Sequence, residues 1–151
     1  MRVRDATPGD RDIIVDFNER LAIESGEEAL DRAVLVRGVT RALERRDMCR
    51  YFLAEHEGQV VGQTMITTEL TDWQDGMIWW LQSVYVAPEH RGQGVFRMLF
   101  EHIRGTARAD GDARCLRLYA LETNARALEV YRRVGMTPRG YVVYEAPLLE
   151  P

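Results

Sequence analysis

One strand-like segment, followed by a glycine turn and an amphipathic helix, constrains the fold most. Residues 77–86, MIWWLQSVYV, are dominated by aromatic and β-branched side chains, which favour a strand. Two glycines and a helical stripe of apolar residues follow, and a second strand-like run covers 116–121. A strand, a helix and another strand in succession favour a crossover between parallel strands, so we expect part of the sheet to be parallel. The apolar stripe of the helix comprises Phe96, Leu99, Phe100, Ile103 and Ala107.

The remaining segments alternate in type and predict an α/β fold. The turn signal at residues 7–10, TPGD, separates a first strand from an amphipathic helix. Glu57-Gly58 predicts a hairpin between two strands. The predicted order is β-α-α-β-β-β-α-β-α-β. The other predicted elements are a strand beginning at Val3, helices that include 13–21 and 30–45, strands over 50–54 and 59–68, a helix from Asn124 and a strand over 141–146.

The size and charge of the chain limit the number of domains it can form and the classes of partner it can bind. At 151 residues, with no repeat or linker-like change in composition, it fits a single domain, 1–151. The 20 basic and 24 acidic side chains give a formal net charge of −4, which argues against nucleic acid or an anionic membrane as a partner. Any anion must therefore be held locally.

The sequence shows no signature of secretion or of metal binding. No run approaches the 18 apolar residues of a membrane span, and no apolar secretory segment is present, so we expect a cytoplasmic protein. Cys49 and Cys115 are far apart and outside any CxxC pair, which favours reduced thiols. His56, His90 and His102 lack the spacing of metal ligands, so no metal is predicted.

The glycine turn at the start of the central helix is a candidate anion site. A helix N-terminus carries unpaired N–H groups and a positive partial charge, and Gly92 and Gly94 keep side-chain bulk away from it. Arg91 and Arg97 flank the turn and could add charge. The alternative is a plain strand-turn-helix connection with solvated arginines. The turn lacks the GK[ST] of a Walker loop and the third glycine of a dinucleotide fingerprint.

Two segments in this order resemble the GNAT N-acetyltransferase superfamily. RGQGVF, residues 91–96, is similar to that family's acyl-CoA pyrophosphate loop, [QR]-x-x-G-x-[GA], and follows the strand SVYV at 83–86. NARALEVYRRVGM, residues 124–136, resembles the family's N-x-x-A-x-x-[FLV]-Y-x-x-x-G-[FM] segment. Phe96 stands where the family prefers Gly or Ala, and its ring is expected to point into the core.

The resemblance implies a mixed, V-shaped central sheet of about six to seven strands with flanking helices, and acetyl-CoA as the acyl-donor co-substrate. It places the pantetheine arm on the backbone of the fourth strand and on Asn124, and the pyrophosphate on the glycine turn. It also makes Tyr131 the general acid. The implied donor-binding residues are Val84, Tyr85, Val86, Arg91, Gly92, Gln93, Gly94, Val95, Phe96, Arg97, Asn124 and Tyr131.

The resemblance assigns the general base less clearly than the general acid. Gln82 holds the position where many relatives place a carboxylate, and an amide cannot take a proton. Glu69 and Glu122, at strand ends, are the candidate substitutes, each acting through water, and Ser83 could position that water. An amine must be neutral before it attacks a thioester, so a proton acceptor is needed.

The function implied is acetyl transfer from acetyl-CoA to a primary amine of a small molecule or peptide, directly in a ternary complex. Two alternatives remain open. One is a non-catalytic acyl-CoA-binding or sensing domain, and the other is an anion-binding module unrelated to CoA. The sequence leaves the oligomeric state open, with a homodimer as the commonest assembly.

Overall fold

The computed structural model describes residues 1–149, and these divide into two compact units, Met1–Tyr119 and a second that begins at Ala120. The first unit holds five strands and three helices. They are β1 (Arg2–Asp5), α1 (Arg11–Glu24), α2 (Arg32–Glu44), β2 (Cys49–His56), β3 (Gln59–Thr71), β4 (Gly76–Val86), α3 (Val95–Asp110) and β5 (Ala113–Leu118). The second unit contains α4 (Ala125–Arg133).

The five strands form one mixed sheet in the order β1-β2-β3-β4-β5. The first four pair antiparallel, and β5 pairs parallel to β4, with α3 connecting them. The predicted crossover is therefore confirmed. The predicted hairpin is confirmed as well, because Glu57-Gly58 joins β2 to β3.

Helices cover both faces of the sheet, and β2 shows how the sequence produces this. Its side chains alternate between faces, as in any strand. Tyr51 and Leu53 pack in a cluster with Ile14 of α1 and Val39 of α2. Phe52, which is fully buried, meets α3 on the other face, where its ring centroid lies 5.5 Å from that of His102.

The apolar stripe predicted for the central helix is the buried face of α3. Its members are between 0 and 7% exposed. Burying such a stripe against the sheet is what stabilises a helix of this length, since helical propensity alone is marginal in water. α3 and the strand before it thus hold the glycine turn at a defined place.

The structure corrects the predicted strand count and one strand. Residues 141–146 form no strand, and within the described residues the sheet has five strands and not six to seven. An apolar run becomes a strand only where a neighbour supplies ladder hydrogen bonds and a face to bury. Here the side chains of Tyr141 and Tyr144 are 74% and 91% exposed. β5 also begins earlier than expected, at Ala113, and ends at Leu118.

Candidate functional site

The glycine turn has the backbone conformation that an anion cradle requires. Gly92 and Gly94 have φ angles of +76° and +81°, in the left-handed region that favours glycine, and a Cβ built on either residue would meet no atom within 4 Å. Gly94 is the N-cap of α3, and since glycine has no side chain, it cannot cap the first N–H groups of the helix. The first ladder bond of α3 runs from the Met98 N–H to the Gly94 carbonyl, so the N–H groups before it stand outside the helix's own ladder.

The side chains after the turn point into the protein, which leaves the turn itself open. Val95 is 2% exposed and Phe96 is 7% exposed, with the Phe96 ring centroid 6.1 Å from that of Phe100. The aromatic ring at the position where the resemblance expects Gly or Ala is therefore in the core. Arg97 is exposed in the first turn of α3, and the Gln93 amide donates to the Glu89 carbonyl at 2.9 Å.

Arg91 is used within the protein to fix the start of the turn. Its Nε donates to the Val86 carbonyl at 2.8 Å, and its terminal nitrogen lies 2.6 Å from the Glu24 carboxylate at the end of α1. The guanidinium also lies 5.5 Å from the centroid of the Tyr85 ring. Arg91 thus ties the turn to β4 and α1.

β4 extends beyond its parallel partner and leaves one edge unpaired by β5. The β4–β5 ladder ends at Leu81 and Leu118, whereas β4 continues to Val86. On its other edge β4 still pairs with β3, through Tyr85 and Val86. The backbone of 82–86 therefore has no ladder partner from β5, which is the kind of strand edge to which an extended ligand can add as a further strand.

A β-bulge lies at the point where β4 leaves β5. Ser83 has a φ angle of +50°, and the β3–β4 register shifts between Gln63 and Met65. The Gln63 amide donates to the Ser83 carbonyl at 3.2 Å, and the Thr64 hydroxyl donates to the Gln82 carbonyl at 3.1 Å. A non-glycine residue in this conformation costs energy and persists only where the surroundings hold it, as they do at many functional sites.

A cavity of ≈ 630 Å³ opens beside this bulge, a volume typical of small-molecule sites. It lies between α1, α2 and strands β2 to β4. Its apolar wall is mainly Leu35, Val39, Ala42, Met48 and Met65. Its polar and charged lining includes Asn18, Arg41, Arg45, Asp47, Tyr51, Thr67, Thr68 and Ser83.

A buried polar network forms the floor of the cavity. The Asn18 amide donates to the Tyr51 hydroxyl at 3.3 Å, and the Gln63 amide donates to the Asn18 side-chain oxygen at 2.8 Å. Burial raises the pKa of Tyr51, so its hydroxyl keeps its proton at neutral pH. This network was not predicted from the sequence. Its one local signal is a polar residue, Asn18, on the apolar face of α1 between Ile14 and Leu21.

Glu69, one of the two predicted proton acceptors, lies outside this cavity. It is exposed near the end of β3, and it accepts a hydrogen bond of 2.5 Å from the indole N–H of Trp80. The Trp80 ring stacks on Tyr119 with centroids 4.5 Å apart. Gln82 donates from its amide to the Thr67 hydroxyl at 2.6 Å.

The remaining predicted residues belong to the second unit. Asn124 is the N-cap of α4, and its side-chain oxygen accepts a hydrogen bond from the Ala127 N–H at 3.0 Å. Its amide nitrogen is not used by this cap. Tyr131 lies on α4, and burial raises the pKa of its hydroxyl. Glu122 is exposed in the turn before α4.

No helix among the described residues is long and apolar enough to cross a lipid bilayer. Within residues 1–149, no group of three or more His, Cys, Asp or Glu side chains is arranged to hold a metal ion.

The mixed sheet and the open turn before α3 define an α/β protein with a candidate anion site at a helix N-terminus. Comparison with known proteins identifies the family. The acetyltransferase (GNAT) family matches residues 14–136, and the chain belongs to this family. A thialysine N-epsilon-acetyltransferase of Bos taurus is 33% identical over 76 residues, which cover 50% of this chain and 44% of that protein. The match thus spans less than half of this curated relative.

Solved structures show the same fold. A possible acetyltransferase from Clostridium difficile 630 superposes with a TM-score of 0.90 and 34% identity, covering 99% of this chain and 98% of the other. A predicted acetyltransferase from Clostridium acetobutylicum, solved with acetyl-CoA, superposes with a TM-score of 0.78 over 96% of this chain and 95% of the other. Its identity to this chain is 19%, so this likeness concerns the fold alone.

Proposed function

We propose that the chain, residues 1–151, works as one N-acetyltransferase domain that moves an acetyl group from acetyl-CoA to a primary amine of a small molecule or peptide. The observation that carries this proposal is the open glycine turn at the N-terminus of α3, next to the edge of β4 that β5 leaves unpaired. Membership of the acetyltransferase family supports it. The names of relatives, a thialysine acetyltransferase among them, point to amines as acceptors.

The donor site follows from the backbone. The N–H groups from Gln93 to Arg97 hold the pyrophosphate, because they lie at the positive end of the α3 dipole and Gly92 and Gly94 leave room for it. Arg97 adds a positive charge from the first turn. The fit is good, since the side chains of Val95 and Phe96 are buried and do not fill the turn. When bound, acetyl-CoA supplies an activated thioester carbonyl.

The pantetheine arm pairs with the backbone of Val84, Tyr85 and Val86, on the edge where β4 has no strand partner from β5. The Asn124 amide nitrogen, which its capping bond leaves unused, donates to the same arm. Arg91 contributes indirectly, because its guanidinium is committed to Glu24 and to the Val86 carbonyl, and so it positions the turn.

The transfer is direct, in a ternary complex. The amine nitrogen loses a proton, attacks the thioester carbonyl and forms a C–N bond. A backbone N–H of β4 donates to the oxyanion that develops. The C–S bond then breaks and the thiolate leaves with a proton from Tyr131, whose raised pKa keeps that proton on its oxygen until this step.

The proton from the amine leaves through water. Gln82 cannot accept it, so we assign that role to Glu69 and Glu122, with the Ser83 hydroxyl orienting the water near the bulge. Glu69 keeps one carboxylate oxygen on the Trp80 N–H, which holds the carboxylate in place.

A second candidate function is a non-catalytic acyl-CoA sensor. The observation that favours it is Gln82, whose amide is bonded to Thr67 at a position where a carboxylate would serve as base. A sensor would bind acetyl-CoA through the same turn and would release no CoA when amines are added.

The test is a measurement of CoA release from acetyl-CoA with and without a panel of primary amines, with mass spectrometry of the product. The proposal predicts amine-dependent release and a product 42 Da heavier, the mass of an added acetyl group less a proton. Binding of acetyl-CoA with no amine-dependent release would contradict transfer and support the sensor. Absence of acetyl-CoA binding would contradict both.

A further inference from the structure

The charged residues of the cavity lie at one end of it. Its only Arg, Lys, Asp or Glu residues, within the described part of the chain, are Arg41 and Arg45 at the end of α2 and Asp47 in the following loop. The uncharged polar floor, made by Asn18, Tyr51 and Ser83, comes from other elements.

Two of these three charges neutralise each other. Arg45 and Asp47 form a two-pronged pair, with Nε to Oδ1 at 2.9 Å and the terminal nitrogen to Oδ2 at 2.8 Å. The arginine holds the pKa of the Asp47 carboxyl below its ordinary value. Arg41 makes no ion pair with any residue from 1 to 149, so the lining has one unmatched positive charge.

The unmatched charge and the reaction point are separated along the cavity. Arg41 and Arg45 lie one helical turn apart on α2, about 6 Å along its axis. Cys49, which lines the cavity near them, precedes Tyr51 of the floor by two strand residues, roughly 7 Å. The apolar side chains of Leu35 and Val39, earlier on α2, line the same cavity. Thr67 pairs with Cys49 in the sheet, so the arginine end also carries a hydroxyl group. The cavity therefore offers an uncharged polar floor, an apolar wall and an end with one unmatched positive charge.

We infer that the acceptor is an amino acid whose reactive amine and carboxylate stand at opposite ends of a short aliphatic chain. This rests on the proposed function and names its substrate class. The amine lies at the Ser83 end, because the β4 backbone that takes the donor is there. The carboxylate lies at the other end on Arg41, whose planar guanidinium can bind both carboxylate oxygens.

The arrangement also excludes an alternative acceptor. A diamine of the same length would bring a second ammonium group to the end of the cavity that carries the unmatched Arg41. Like charges so placed repel, and Asp47 does not compensate because Arg45 already occupies both of its oxygens. The cavity thus selects an amine with a distal carboxylate over one with a distal ammonium.

The test uses two pairs of acceptors that differ only in the carboxylate: 6-aminohexanoate with pentylamine, and lysine with 1,5-diaminopentane. We expect kcat/KM to be at least about tenfold higher for the carboxylate-bearing member of each pair. Arg41→Gln should lower kcat/KM about tenfold for those members, through KM, and leave pentylamine within about twofold. It should raise kcat/KM for 1,5-diaminopentane, because the repulsion between its second ammonium group and Arg41 is lost. Arg41→Lys should recover part of the loss.

Arg37→Gln is the matched control. Arg37 is an exposed arginine on the same helix, one turn before Arg41, and it is not part of the cavity lining. It should leave all four acceptors unchanged. Equal or better acetylation of pentylamine and 1,5-diaminopentane would overturn the inference. An Arg41→Gln variant that affects both members of a pair alike would overturn it as well.

Binding without turnover separates this inference from the proposed function. Calorimetric titration of the CoA-bound protein with 6-aminohexanoate and with pentylamine needs no catalysis. If no amine is acetylated but 6-aminohexanoate binds and Arg41→Gln weakens that binding, the proposed function fails and the carboxylate site stands. If amines are acetylated without preference for the carboxylate, the function stands and the carboxylate site fails.

Discussion

Replacing Gly94 by Glu should abolish CoA binding while leaving the protein folded. Gly94 has a φ angle of +81°, and no atom beyond its chain neighbours lies within 4 Å of the place where a Cβ would be. The Cβ of the new side chain therefore has room in the folded protein. It does place a carboxylate at the mouth of the turn that we assign to the pyrophosphate.

Two magnitudes follow from this geometry. A non-glycine residue in the left-handed region costs roughly 1–2 kcal/mol of folding stability, which lowers the melting temperature by about 2–8 °C for a protein of this size. A carboxylate about 5 Å from a phosphate charge repels it by about 3 kcal/mol at an effective dielectric constant near 20. That repulsion weakens CoA binding by a factor of about 100 or more.

The assay is calorimetric titration with CoA, next to a thermal melt of each variant. Gly111→Glu is the matched control, because Gly111 lies at the other end of α3 with a φ angle of +80° and equally open space. It should cost a similar amount of stability, or slightly more, since its carboxylate lies at the negative end of the helix dipole. It should leave CoA affinity unchanged.

Unchanged CoA affinity in a folded Gly94→Glu protein would refute the assignment of the turn. Equal loss of affinity in the Gly111→Glu protein would refute it as well, because the loss would then arise from destabilisation of α3 and not from charge in the turn.

Three further predictions concern the acid, the pH dependence and the core. Tyr131→Phe should lower kcat with acetyl-CoA affinity unchanged, because the thiolate loses its proton donor; steady-state kinetics and titration check this, and unchanged kcat across pH would remove Tyr131 as the acid. The Arg4 guanidinium holds the pKa of Asp10 at about 2. The Asp10 carboxylate therefore adds about 2 kcal/mol to the free energy of unfolding, and this addition is complete above roughly pH 4 and is lost as the pH falls through about 2. Urea unfolding at several pH values should show that extra acid sensitivity in the wild type but not in Asp10→Asn. Leu99→Ala removes a fully buried side chain of α3 and should lower the free energy of unfolding by about 2–5 kcal/mol, measured by the same urea unfolding. Leu70→Ala is the control, because that side chain is 69% exposed, and it should change the free energy of unfolding little.

Features that depend on neighbouring residues could be predicted from the sequence. The glycine turn and the apolar stripe of α3 each lie within one short segment, so spacing alone reveals them. The parallel pairing of β4 with β5 followed because the strand-helix-strand order permits few connections.

Features that depend on distant residues could not be predicted. The cavity floor joins Asn18 of α1, Tyr51 of β2 and Ser83 of β4, and no local pattern connects these three. The bulge at Ser83 depends on the register between β3 and β4. The pairing of Arg91 with Glu24 joins residues that lie 67 positions apart in the chain, so the sequence of the glycine turn does not reveal it. The predicted strand over 141–146 was wrong, because a strand-like composition does not by itself supply a neighbouring strand with which to pair.

The most direct test of acyl-CoA recognition by the glycine turn is the thermal stability of the purified protein with acetyl-CoA, CoA, ATP and NAD in parallel. We expect acetyl-CoA and CoA to raise the melting temperature by several degrees at concentrations about 100 times their dissociation constants, since such binding adds roughly 2.7 kcal/mol to the free energy of unfolding. We expect no comparable effect of ATP or NAD. Equal stabilisation by ATP, or none by either CoA species, would contradict the claim that this turn recognises acyl-CoA.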